Sequence, residues 1–63
     1  MLESYPDLLT LRDLQEILHT KRYTALRLMH KHLDAFKEGG KWLITKESLA
    51  EYVEYRISER RND

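Results

Sequence analysis

Four residues within one short stretch carry most of the hydrogen-bonding chemistry of this chain: Arg22, Tyr23, Thr24 and Arg27 supply two guanidinium groups and two hydroxyls. A guanidinium fork pairs in bidentate fashion with the O6/N7 edge of guanine or with two phosphate oxygens, and hydroxyls donate to either. Ala25, Leu28 and Met29 alternate with them at the spacing of a helix whose apolar side is buried. One face of such a helix can therefore pack while the other offers guanidinium, hydroxyl and aromatic groups. Lys21 and Lys31 bracket the segment, and further on Lys37 and Lys41 flank Gly39-Gly40, where a tight turn would let two ammonium groups straddle a phosphate backbone. This is the chemistry of a segment that reads DNA.

The charge distribution agrees with that reading although the formal net charge is zero. Between His19 and Lys41 six lysines and arginines face only two acids, Asp34 and Glu38, while the rest of the chain carries five bases against nine acids. A dipolar molecule of this kind turns a positive face to a polyanion and an acidic face to solvent or to a basic partner.

Other classes of function find little support. Cysteine is absent, which removes disulfides and thiolate chemistry and is compatible with a reducing cytoplasm. The serines Ser4, Ser48 and Ser58 have no histidine nearby in sequence, so no nucleophile with its base is visible and the chain is expected not to be an enzyme. His30 and His32 lie two apart, on different sides of a helix, and His19 falls in a turn, so solvent or phosphate contact is expected of them and no metal or cofactor site. No apolar run reaches the roughly 20 residues of a membrane span, and the opening Met1-Leu2-Glu3 lacks a signal-peptide pattern. The expectation is a cytoplasmic protein with no membrane and no small-molecule substrate. Sixty-three residues are expected to form a single domain spanning 1–63, burying roughly 60% of the surface its unfolded chain exposes.

The elements that position these groups follow from local signals. Residues 1–9 read as an irregular arm, in which Pro6 disfavours helix through Tyr5 and Leu8 and Leu9 first touch the core. Thr10, with Asp13 three residues on, forms a capping box that starts a supporting helix at Leu11, whose stripe is Leu11, Leu14, Ile17 and Leu18, with Arg12, Asp13, Gln15 and Glu16 outside. Thr20 can cap the next helix, which ends near His30 to His32. Ala35-Phe36-Lys37 and Trp42-Leu43-Ile44 read as strands joined at Gly39-Gly40, with Phe36, Trp42 and Ile44 on the core side and the lysines pointing away. That alternation favours core packing over base stacking for Trp42, whereas Tyr23 fits either DNA contact or packing beside the hairpin. Thr45 caps a third helix through roughly Arg60, with Leu49, Tyr52, Val53 and Ile57 inside and Glu47, Glu51 and Glu54 outside, and a frayed tail over 60–63. Two helices around a short turn, then a hairpin and a third helix, make a mostly α fold with a small β-hairpin, a winged helix-turn-helix.

The residues Leu9-Thr10-Leu11, Leu14 to Leu18, Arg22, Thr24 and Leu28, and above all AFKEGGKWLITKESLAEYV from Ala35 to Val53, resemble the small winged helix-turn-helix domains of the excisionase family, which are related to the DNA-binding heads of MerR-type regulators. The resemblance covers about residues 8 to 56. It implies that the second helix enters the major groove through Arg22, Tyr23, Thr24 and Arg27, and that Lys37 and Lys41 of the wing meet the minor groove or the backbone. It also implies a phage or mobile-element recombination directionality factor, which binds and bends DNA beside an attachment site so that a cognate integrase excises. Alternatives are a small transcription regulator, a DNA-packaging recognition module, or a protein-interaction inhibitor using the acidic third helix. One module covers too little DNA to be both tight and selective, so neighbouring copies on DNA are expected to meet head to tail, acidic helix against basic edge.

Overall fold

Thr10 begins the folded chain's first helix as the spacing predicts. Its hydroxyl accepts from the Asp13 amide at 3.2 Å, and the Asp13 carboxylate accepts from the Thr10 amide at 3.0 Å, a closed capping box that starts α1 at Leu11. The computed structural model describes residues 2–61, in the order β1 (Leu8–Thr10), α1 (Leu11–Leu18), α2 (Arg22–Lys31), β2 (Phe36–Glu38), β3 (Lys41–Thr45) and α3 (Lys46–Arg61). The mostly helical fold with its hairpin is that of a winged helix-turn-helix.

The arm is not irregular throughout. Its last residues form β1, which pairs antiparallel with β3, so the hairpin becomes a three-stranded sheet in the order β1-β3-β2. The pairing sets Leu9 opposite Ile44, and both are fully buried, whereas Leu8 on the other face is 45% exposed. Upstream, the Tyr5 amide closes a turn onto the Leu2 carbonyl. Lys46 ties this segment down, donating from Nζ to the Tyr5 carbonyl at 3.0 Å while its amide bonds the Asp7 carbonyl.

The start of α2 also departs from the sequence reading. Leu18 is followed by His19 in the left-handed region (φ 54°), and the amides of His19 and Thr20 both donate to the Gln15 carbonyl. Thr20 is thereby consumed in ending α1, one residue too early to cap α2. The N-cap is Lys21, with no side-chain acceptor for the first amides, and the Thr20 hydroxyl is buried without a hydrogen-bond partner among the described residues. The turn His19-Thr20-Lys21 keeps the length that helix-turn-helix units use.

Gly39 and Gly40 have φ of 57° and 79°. Positive φ at both positions is the primed hairpin turn that only glycine or asparagine-like residues accept readily, and its twist matches that of the strands. The register pairs Glu38 with Lys41, Lys37 with Trp42 and Phe36 with Leu43. Directly opposite residues share a face, so Phe36 does not lie with Trp42 and Ile44. It sits with Leu43 on the outer face, 41% exposed, and Lys37 takes the expected place of Phe36 beside Trp42. Lys37 and Lys41 therefore leave the hairpin from opposite faces.

The core is Leu9, Leu14, Ala25, Met29, Leu33, Ile44 and Leu49, with Trp42, Leu28, Tyr52 and Val53 packed at its edge. Every element supplies a buried residue except β2, all three of whose residues are exposed. A strand held by the ladder alone and lying outside the core is a wing. The Thr45 hydroxyl accepts from the Ser48 amide at 3.0 Å and caps α3, as expected. Glu47, Glu51 and Glu54 are exposed, but Ile57 is also 48% exposed and not part of a buried stripe, because α3 runs past the end of the core. The helix continues through Arg61, so the expected fraying includes neither Arg60 nor Arg61; Asn62 and Asp63 lie outside the described residues.

Candidate nucleic-acid interface

Helical geometry divides the surface of α2 into rows. Ala25 and Met29 are buried, and Leu28 leans toward α3, lining a groove there with Val53 and Ile57. The opposite side presents Tyr23, Arg27 and His30, each about one turn beyond the one before. Tyr23 is 74% exposed, which leaves its ring available to a ligand and does not support packing beside the wing. Arg22 is exposed on the flank nearest the hairpin, half-buried Thr24 and exposed Lys31 lie on the far flank, and Lys21 is exposed at the helix start.

Trp42 stands between the wing and this helix and touches both. It is half-buried, as the alternation predicts. The His30 ring meets its indole edge-on, with centroids 4.6 Å apart and planes at 71°, and Lys37 Nζ lies 5.9 Å from its centroid on the strand side. Edge-to-face contact of this kind contributes about 0.5–1.5 kcal/mol, and a cation over the indole at an exposed site about 0.5–1 kcal/mol. One side chain thus links α2, β2 and β3. His32 turns to a different ring, Tyr52, at 6.2 Å between centroids, so the two histidines do not converge.

Arg22 and Lys41 come together across a groove of about 350 Å³ whose other lining residues are Thr10, Leu11, Arg12, Leu26, Gly40 and Trp42. Arg12 and Leu26 are the additions here. An exposed position on α1 gave no sign of which neighbour it would face, and Leu26 falls between the buried and exposed rows of α2.

All eight residues singled out by their chemistry are at least partly accessible, and seven of them, Lys21, Arg22, Tyr23, Arg27, Lys31, Lys37 and Lys41, are exposed. Among the described residues none of the six cations in that set is in an ion pair. Six positive charges held on one helix and one hairpin without internal counter-ions form a field that attracts a polyanion and releases its condensed counter-ions. No helix of the described residues is long and apolar enough to cross a membrane.

Curated proteins and solved structures provide no match to the chain. The family model described as "Helix-turn-helix domain" matches residues 8–58, which spans β1, both helices of the motif, the hairpin and most of α3. The chain belongs to this helix-turn-helix domain family, with DNA as its partner.

Proposed function

We propose that this chain is a non-enzymatic, excisionase-like DNA-binding factor: it reads a duplex site with α2, bends the DNA with the help of the wing, and directs a cognate integrase toward excision. The observation that carries the reading is the set of cations without ion pairs on α2 and the hairpin, between which Trp42 contacts both His30 and Lys37. Arg22, Tyr23, Thr24 and Arg27 take the major groove, because the first three form the first turn of the second helix, the part that meets base edges in helix-turn-helix proteins, and Arg27 follows Tyr23 one turn on along the exposed side. Lys37 and Lys41, leaving the wing from opposite faces, take phosphates on either side of the adjacent minor groove. Lys21 and Lys31 anchor the two ends of α2.

Neighbouring copies then assemble along the duplex, the Glu47-Glu51-Glu54 face of α3 against the basic edge of the next molecule. Such a heterologous contact extends instead of closing into a dimer. An excision assay with a cognate integrase tests the role. Stimulated excision, with suppressed integration, is expected. Sequence-specific binding without any effect on recombination overturns the excisionase role and leaves a transcription regulator or packaging module.

A further inference from the structure

The sequence places Arg12 on the outer side of a supporting helix, away from DNA. Folding gives it a different neighbourhood. Arg12 from α1, Arg22 from α2 and Lys41 from the hairpin rim the same groove, and the lining contains no carboxylate. The acids nearest in sequence or in the ladder do not neutralise them. The Asp13 carboxylate is turned back onto the Thr10 amide, and Glu38, opposite Lys41 in the ladder, forms no ion pair with it. The remaining lining is Leu11, Leu26 and Trp42, apolar and partly buried, together with Thr10 and the backbone of Gly40.

A cationic rim around an apolar floor matches one particular ligand shape. A phosphodiester oxygen pair suits the guanidinium fork and the ammonium, and the carbon edge of a deoxyribose suits leucine and indole. The groove also lies between the two parts of the molecule assigned to adjacent grooves of the duplex, which is where a backbone must pass. We propose that Arg12, together with Arg22 and Lys41, holds one backbone phosphate of the bound duplex in this groove, with its sugar against Leu26 and Trp42. The site rests on the reading of the chain as a duplex-DNA binder. It turns α1 from a support into a third contacting element and adds Arg12 to the residues that position the protein without reading sequence.

The test uses a duplex selected by the full chain from a random pool, then resynthesised with one neutral methylphosphonate linkage at each backbone position in turn. Wild-type protein should lose affinity about three- to tenfold at one linkage between the bases read by α2 and the site of the wing. Arg12→Gln should show part of that loss on unmodified DNA, a smaller further loss at that linkage than the wild type because Arg22 and Lys41 still hold the phosphate, unchanged base preference, and a salt slope shallower by about 0.9. Arg12→Lys should recover most of the affinity. Arg12 is exposed and outside the capping box, so its thermal midpoint should match wild type. Arg12→Gln binding like wild type, while Arg22→Ala and Arg27→Ala are weakened, overturns the site and leaves the DNA reading intact. So does a variant that loses the same further factor at every linkage the wild type feels. Failure of the wild type to select any duplex overturns both.

Discussion

The α2–hairpin face and the α3 face use charge in opposite ways. On α3 two cations have partners within the fold: Lys46 lies 4.0 Å from Asp7 of the arm, and Arg56 lies 3.9 Å from Glu59 and donates to the Tyr52 hydroxyl at 3.1 Å. The Tyr55 hydroxyl donates to Glu59 at 2.9 Å, and that hydrogen bond raises its pKa above the ordinary phenol value. On α2 and the hairpin none of the six cations has such an answer among the described residues. The helix starts repeat the contrast. Thr10 and Thr45 cap α1 and α3 with side-chain hydroxyls, while the first amides of α2 have no side-chain acceptor. The difference separates a surface on which the cations have carboxylate partners from one whose cations have none among the described residues and await an external anion.

Both faces rest on one core, and removing part of it should abolish the distinction. Ile44→Ala, beneath the junction of sheet and helices, should cost about 2–5 kcal/mol of stability and carry DNA binding down with it, as read by urea unfolding. Substitution on the unpaired face should do the reverse. Arg22→Ala or Arg27→Ala should lose about 1–3 kcal/mol of binding and relax preference at particular base pairs, with stability within about 0.5 kcal/mol of wild type. Lys41→Ala should weaken all sequences about equally, and identical selectivity profiles for wild type and both arginine variants would place the reading face elsewhere.

The two threonines sharpen the comparison at smaller scale. Thr10→Ala should destabilise by about 1 kcal/mol through loss of the capping box. Thr20→Val removes a buried hydroxyl that has no hydrogen-bond partner among the described residues, so unfolding free energy should stay level or rise by up to about 1 kcal/mol. A substantial loss from Thr20→Val would mean that its hydroxyl does cap α2. Smallest in effect on a single site is the acidic face: replacing Glu47, Glu51 and Glu54 together by glutamine should leave one-site binding within about 0.5 kcal/mol and remove cooperative filling of two directly repeated sites. Sedimentation should show a monomer before and after, and independent filling by wild type would contradict the head-to-tail contact.

Signals complete within a few residues were legible in the sequence. The Thr10–Asp13 box, the Gly39-Gly40 turn and the Thr45 cap each need no distant partner, and each places its element within a residue or so of the observed start. Strand β1 was not legible, because three residues show no usable alternation and its partner β3 lies more than thirty positions away. Thr20 carried a true capping chemistry that a competing use, the left-handed stop at His19, had already taken. The misplacement of Phe36 has a different cause. Alternation within a single strand carries no register, whereas a two-residue turn pairs Glu38 with Lys41 and so forces Lys37 onto the face of Trp42. The candidate site was legible as a list of accessible cations, but the convergence of Arg12 with Arg22 and Lys41 depends on three elements meeting in space.

The claim that the unpaired cations of α2 and the hairpin meet a phosphate backbone is tested most directly by the salt dependence of binding to a selected duplex. With about five phosphates neutralised, the slope of log affinity against log salt should be roughly −4 to −5. A slope near zero, or no binding at low salt, would contradict it.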